Sequence, residues 1–291
     1  MKLYKQTGEE KTVNKNFKFG LSIATEPLSL SAPVVYRDEI HNVIRKAKML
    51  GYDGIELQLR DAHKVDVCAY QRACEAEGME ICAIATGLEY SLNGLSMIDD
   101  DEEKRAEMRR RLFYDVELAE AFDCPVIIGC VRGNIPDGGD RAVYMDRFKT
   151  ELCLLSEKAK KHGVTIVLEA INFYVNNYLN SVIETCDFID SLQRDNIKIH
   201  IDTHHMAIEE TDIEMATRYA GKRVGYVHFA ENNRKYPGAG GIDFLKIMKI
   251  LKKQKYMGYI TLEILPLPDE DTCARRGIEY LHKAEELMSI Q

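Results

Sequence analysis

Residues 197–206 read IKIHIDTHHM, a β-rich apolar run that closes on an acid, Asp202, and passes into a polar turn. A carboxylate at the end of a buried strand is costly unless a cation or partner compensates it, because removing its water takes several kcal/mol or more. Three further runs downstream or just upstream end in the same way. TIVLE (165–169) closes on Glu169, VGYVH (224–228) closes on His228, and YITLEI (259–264) carries Glu263 near its end. The spacing of these runs, each followed by a helical stretch, is the pattern of parallel strands joined by crossover helices.

Working back toward the N-terminus, four more runs fit the pattern: FKFGLSIA (17–24), GIELQL (54–59), MEICAIAT (79–86) and PVIIGC (125–130). Helical segments are predicted near residues 38–50, 65–77, 102–122, 142–162, 181–192, 213–219, 243–252 and 271–288. Gly51, Gly78, Gly163 and Gly221 follow the last periodic apolar residue of their segments, where a helix stop favours glycine. Eight strands alternating with eight helices predict an α/β protein made of a single (β/α)8 barrel, with reactive groups at the C-terminal strand ends. An open doubly wound sheet is the runner-up, but it gathers four strand ends around one point less readily.

The chain has 291 residues, 45% hydrophobic and 30% charged, with no low-complexity tract or Pro/Ser-rich linker to divide it. One domain over residues 17–291, preceded by a polar N-terminal extension over residues 1–16, is the expected organisation. No apolar stretch approaches the roughly 20 residues that cross a bilayer, and residues 1–16 lack the apolar core of a secretory signal, so a cytoplasmic location without membrane contact is expected. The 8 cysteines form no CxxC pair and most lie in apolar runs, which argues against disulfides. A formal charge of −8 argues against a nucleic-acid partner, and the basic cluster at residues 105–111 alternates with acids on a predicted helix.

Glu169, Asp202, His228 and Glu263 together form a ligand set for one divalent metal ion, with Mn²⁺ expected and Mg²⁺, Co²⁺ or Zn²⁺ compatible. His205, three residues beyond Asp202, and Arg234, in the glycine-rich loop after His228, are expected to touch substrate. Glu56 in GYDGIEL is a further candidate for orienting a substrate hydroxyl, with a structural hydrogen bond as the alternative. His200, on the same face as Asp202, is set aside as a core or outward residue, and Thr86 and Arg132 are rim candidates only. Neither GxSxG, HExxH, GxGxxG nor GxxxxGK[ST] occurs. A cation between two glutamates can bind a sugar carbonyl and its neighbouring hydroxyl and stabilise the enediolate formed when a base takes the adjacent proton. Glu169 and Glu263 would be that acid–base pair: proton return to the opposite face of the same carbon epimerises, and return to the neighbouring carbon isomerises.

The series GYDGIEL, LEAIN, IDTHHM, VHFAENNRKYPGAGGIDF and YITLEI resembles the sugar phosphate isomerase/epimerase family with a xylose isomerase-like barrel, which includes ketose 3-epimerases, hydroxypyruvate isomerase and inosose dehydratase. The resemblance runs from Phe17 onward. It implies the metal quartet already named, and substrate contacts through His205 and Arg234. Ketose 3-epimerases carry ExxNRxE after strand five, whereas here Glu169 and Asn172 are followed by Phe173 and Val175 in place of the arginine and second glutamate. Loss of those polar groups implies a partly apolar substrate or a partner chain over this rim. The chain is for that reason also similar to the catalytic α subunit of C-glycoside deglycosidases, which works with a small β subunit and would expel an aromatic aglycone from a 3-oxo-glycoside by elimination. The two expectations are therefore a metal-dependent isomerase or epimerase acting on a small carbohydrate as a homo-oligomer, and as alternative a carbon–carbon lyase with a small β subunit.

Overall fold

The computed structural model describes residues 16–289, so the extension expected over residues 1–16 lies, except for Asn16, outside the described residues. Nine parallel strands form one sheet: β1 (Lys18–Ala24), β2 (Tyr36–Arg37), β3 (Gly54–Gln58), β4 (Glu80–Ala85), β5 (Val126–Ile128), β6 (Ile166–Glu169), β7 (Ile197–Asp202), β8 (Val224–Phe229) and β9 (Tyr259–Leu262). Pairing of β1 with both β3 and β9 closes eight of them into a barrel. The two-residue β2 adds to the outer part of β1 at Ile23 and Ala24, and no sequence signal marked it.

The helices are α1 (Ile40–Leu50), α2 (Val67–Glu77), α3 (Gly87–Asn93), α4 (Glu102–Phe122), α5 (Arg141–Lys161), α6 (Val182–Leu192), α7 (Thr203–Glu209), α8 (Ile213–Ala220), α9 (Phe244–Lys253) and α10 (Glu270–Ser289). Gly51 and Gly78 cap α1 and α2 with φ of 99° and 60°. The same left-handed cap is made without glycine by Asp123 after α4 and Gln193 after α6. The two helices absent from the expected list, α3 and α7, are one- to two-turn segments set directly on strand ends. Short helices of this kind lack the periodic apolar repeat that reveals the long ones.

The apolar core lies mainly between the strands and the helical ring. A smaller cluster, Cys82, Ala83, Ala85, Ile127, Val167, Tyr226 and Tyr259, fills the barrel interior below the site. That interior is tight: a Cβ on Gly20 would come within 2.9 Å of Cys82 Sγ. All eight cysteines are free, and among the described residues no helix is long and apolar enough to cross a membrane.

Candidate active site

Strand register brings the predicted groups to one end of the barrel. Glu169 pairs with His200 across β6 and β7, Asp202 pairs with His228 across β7 and β8, and His228 pairs with Thr261 on β9. Paired residues in a parallel sheet share a face, so all of these side chains turn inward. Glu169, Asp202 and His228 are buried, and Glu263 follows β9 directly with its side chain 13% exposed. Asp202 serves two ends: Oδ1 accepts a 2.7 Å hydrogen bond from the His204 N–H and so caps α7, which leaves Oδ2 for the interior.

His228 is held from behind. Its Nε2 donates to Glu56 Oε2 at 2.6 Å, while its Nδ1 has no hydrogen-bond partner and lies 3.5 Å from Glu263 Oε2 and 3.8 Å from Asp202 Oδ2. Burial works against a charge on this imidazole, but Glu56 and then Asp202 outweigh it and raise its pKa to about 10. Glu56 thus makes the structural hydrogen bond that was the alternative reading of this residue. It is fully buried within β3 and turned to the His228 ring, because alternation along the strand points it into the barrel one layer below the mouth.

Gln58, two residues on and on the same face, ties this layer together. Its Nε2 lies 3.0 Å from Glu56 Oε1, 3.1 Å from Glu263 Oε1 and 3.3 Å from Ser22 Oγ. Sequence reasoning passed over Gln58, although the two-residue step from Glu56 is the signal that would have found it.

His205 points its ring into the same space. Asn172 Nδ2 donates to His205 Nδ1 at 2.6 Å, and His205 Nε2 then faces Glu169 Oε1 at 3.6 Å and Asp202 Oδ2 at 4.0 Å. Burial pushes the pKa of His205 down to about 3, so it is a neutral imidazole whose Nε2–H looks into the site. Burial and the charge of Asp202 push the Glu169 carboxyl up. Burial would do the same to Asp202, but the Arg234 guanidinium holds it well below the usual range.

Arg234 lies against the acids themselves. Its Nη1 donates to Asp202 Oδ2 at 2.7 Å and its Nη2 to Glu263, so one guanidinium spans two of the expected metal ligands. Its backbone has a φ of 60°, within a turn in which its N–H donates to Glu231 O. Glu231, another residue the sequence reading missed, is fully buried and organises the glycine-rich loop by accepting from the N–H groups of Gly238 and Ile242.

Two rim candidates prove to be supports. Arg132 is fully buried, with Nη1 donating to Glu169 O at 2.6 Å and its guanidinium 5.2 Å from the Tyr178 ring centre. Thr86 Oγ1 donates to Ile127 O at 2.7 Å. His200, set aside from sequence, is inside the barrel with its ring centre 4.1 Å from that of His228.

The donor set fits a divalent cation. Ligands at about 2.1 Å around an octahedral ion stand about 3 Å apart when adjacent and about 4.2 Å apart when opposite. The separations of 3.5 and 3.8 Å at His228 Nδ1 fall in that range, and Glu169, Asp202 and His205 also present ligand atoms within 4.8 Å of one another. The unpartnered, fully enclosed Nδ1 is the strongest sign, since buried polar atoms without a partner are rare. Glu169 itself occupies a cradle that only glycine leaves open: a Cβ on Gly129 would stand 2.5 Å from Glu169 Oε2.

Known proteins resemble this chain in sequence and in fold. A family model described as a xylose isomerase-like TIM barrel matches residues 44–284. An L-ribulose 3-epimerase of Methylomonas sp. (strain DH-1) is 31% identical over 220 residues, 76% of either chain. A 3-dehydro-D-guloside 4-epimerase of Escherichia coli (strain K12) is 24% identical over 244 residues, 78% of this chain and 88% of that one. The fold matches that of a D-allulose 3-epimerase from Methylomonas sp. crystallised with D-allulose, at a TM-score of 0.78 and 24% identity over 92% of this chain and 97% of that one.

Proposed function

The chain belongs to the xylose isomerase-like TIM barrel family and is an enzyme of the epimerase type; from that premise we propose that it epimerises or isomerises a small carbohydrate with the help of one divalent ion. Glu169, Asp202, His228 and Glu263 would hold the ion, with Mn²⁺ the expected occupant. When bound, it would supply a fixed positive charge against a sugar carbonyl and its neighbouring hydroxyl, making the adjacent C–H more acidic. The observation that carries the reading is the His228 ring, whose Nε2 is fixed by Glu56 while its Nδ1 faces Asp202 and Glu263 without a partner.

Glu169 on β6 and Glu263 after β9 have two strands, β7 and β8, between them and reach the mouth from different directions. One takes the proton and the other returns it. The elevated pKa of Glu169 suits proton transfer near neutrality. His205, fixed by Asn172, would donate its Nε2–H to a substrate oxygen, and Arg234 would bind another.

A second reading rests on Phe173, Tyr174 and Val175, which stand 55%, 77% and 41% exposed beside the site, where an apolar part of a substrate or a small β subunit could rest. It is the cleavage of a 3-oxo-C-glycoside by the same proton abstraction followed by loss of the aglycone. Association as a homo-oligomer belongs to the first reading and is checked by light scattering.

The test is a panel of free ketoses and 3-oxo-glycosides incubated in D2O with the metal-supplemented protein. Sugar interconversion with deuterium at the inverted carbon supports the epimerase. Aglycone release without interconversion replaces it with the lyase. Glu169→Gln and Glu263→Gln should each fold and fall below about a tenth of the wild-type rate, and a faster variant contradicts its acid–base role.

A further inference from the structure

His200 is the one imidazole in the barrel interior to which the proposed chemistry gives no task. It is fully buried on β7, and neither ring nitrogen has a hydrogen-bond partner. Its register partners are Glu169 on β6 and Tyr226 on β8, and its ring meets that of His228 edge to face at 90°. Two orphaned polar atoms in a closed interior are costly, and a Leu, Ile or Met would fill the same space without them. Tyr226, the polar neighbour within reach, spends its hydroxyl on Thr261 at 2.7 Å and Cys82 at 3.1 Å. What does lie near is the site: Glu169, His200 and His228 present ligand atoms that all fall within 4.8 Å of one another.

We propose that His200 is a fifth protein donor to the ion before substrate arrives, on one of the two positions that four ligands leave open at an octahedral centre and that a sugar oxygen would take in turn, and that it tilts the site's preference from Mg²⁺ toward Co²⁺ and Zn²⁺. This rests on the metal reading above and deepens it. Carboxylates and water suit Mg²⁺ and Mn²⁺, whereas each added imidazole favours the later ions of the first transition row. His200 stands two residues before Asp202 on the same strand and face, one step deeper in the barrel.

The test is competitive titration of the stripped protein against a chromophoric chelator with Mg²⁺, Mn²⁺, Co²⁺ and Zn²⁺, for wild type, His200→Leu and His200→Gln. The His200 variants should lose about tenfold or more of their Co²⁺ and Zn²⁺ affinity, while Mg²⁺ affinity moves by less than about threefold. Parallel changes for all four ions, or none, overturn the role of His200 while leaving the metal site standing. A wild-type protein that takes up no ion in stoichiometric amount overturns the metal reading and this inference with it. X-ray absorption of the Co²⁺-loaded wild type gives a check that needs no variant: at least two coordinated imidazoles are expected, and a single one refutes the proposal.

Discussion

Glu56 Oε2 accepts a 2.6 Å hydrogen bond from His228 Nε2, and both side chains are sealed from solvent. A carboxylate can only accept, so the bond keeps a hydrogen on Nε2 and aims Nδ1 at Asp202 and Glu263; the proton that these acids hold on Nδ1 in the metal-free protein would leave as an ion binds there. Glu56→Gln should therefore weaken metal binding by about 10- to 100-fold while the far-UV circular dichroism stays that of the wild type. Chelator competition measures it, and an unchanged affinity would mean that the ring needs no such support.

Gly129 tests the position of Glu169. The methyl of Gly129→Ala would stand 2.5 Å from Glu169 Oε2, closer than any real contact, so the carboxylate must move. A loss of at least about tenfold in turnover is expected, with about 1–3 kcal/mol of destabilisation from overpacking. Gly87→Ala, at a position with open space around the added carbon, is the matched control and should leave both quantities near wild type.

Arg234 makes a functional and a conformational prediction. Arg234→Ala should raise KM more than it lowers kcat if the guanidinium is a uniform binding contact. Because residue 234 has a φ of 60°, Arg234→Gly should be more stable than Arg234→Ala by about 1 kcal/mol. Thermal denaturation of the two variants reads that difference directly, and equal melting points would argue that the turn relaxes.

Asp115 on α4 gives a pH dependence away from the site. It is buried, its Oδ2 has no hydrogen-bond partner, and burial followed by the charge of Glu89 raises its carboxyl pKa well above the usual value. A carboxyl whose pKa is higher in the folded state than in the unfolded chain binds its proton more tightly when folded. It contributes nothing below the unfolded value and costs stability increasingly as pH rises past it. Asp115→Asn should then raise the melting temperature at pH 7 by a few degrees, for a gain of about 1 kcal/mol, and the difference should shrink toward pH 4. A variant equally destabilised at both pH values would contradict this.

The barrel could be read from the chain because its eight strands are short apolar runs and several of the helices between them, α1 and α9 above all, carry a clear amphipathic repeat. The runs ending at Glu169, Asp202, His228 and Glu263 stand out for the same reason: an acid or imidazole closing an apolar strand is unusual in one dimension. The short helices α3 and α7 and the two-residue β2 have too few residues to repeat a pattern, and tertiary contact alone defines them.

Sequence by itself determined the fold class, the identity of the four strand-end groups and their order around the barrel, since local alternation fixes which residues face inward. Which inward groups touch was decided only by closure, where strand stagger sets the height of each side chain. Closure set Glu56 behind His228, placed Gln58 between Glu56 and Glu263, laid Arg234 across Asp202 and Glu263, and brought His200 beside the site. These are contacts between residues up to 205 positions apart in the chain, and no local pattern encodes a distance of that kind.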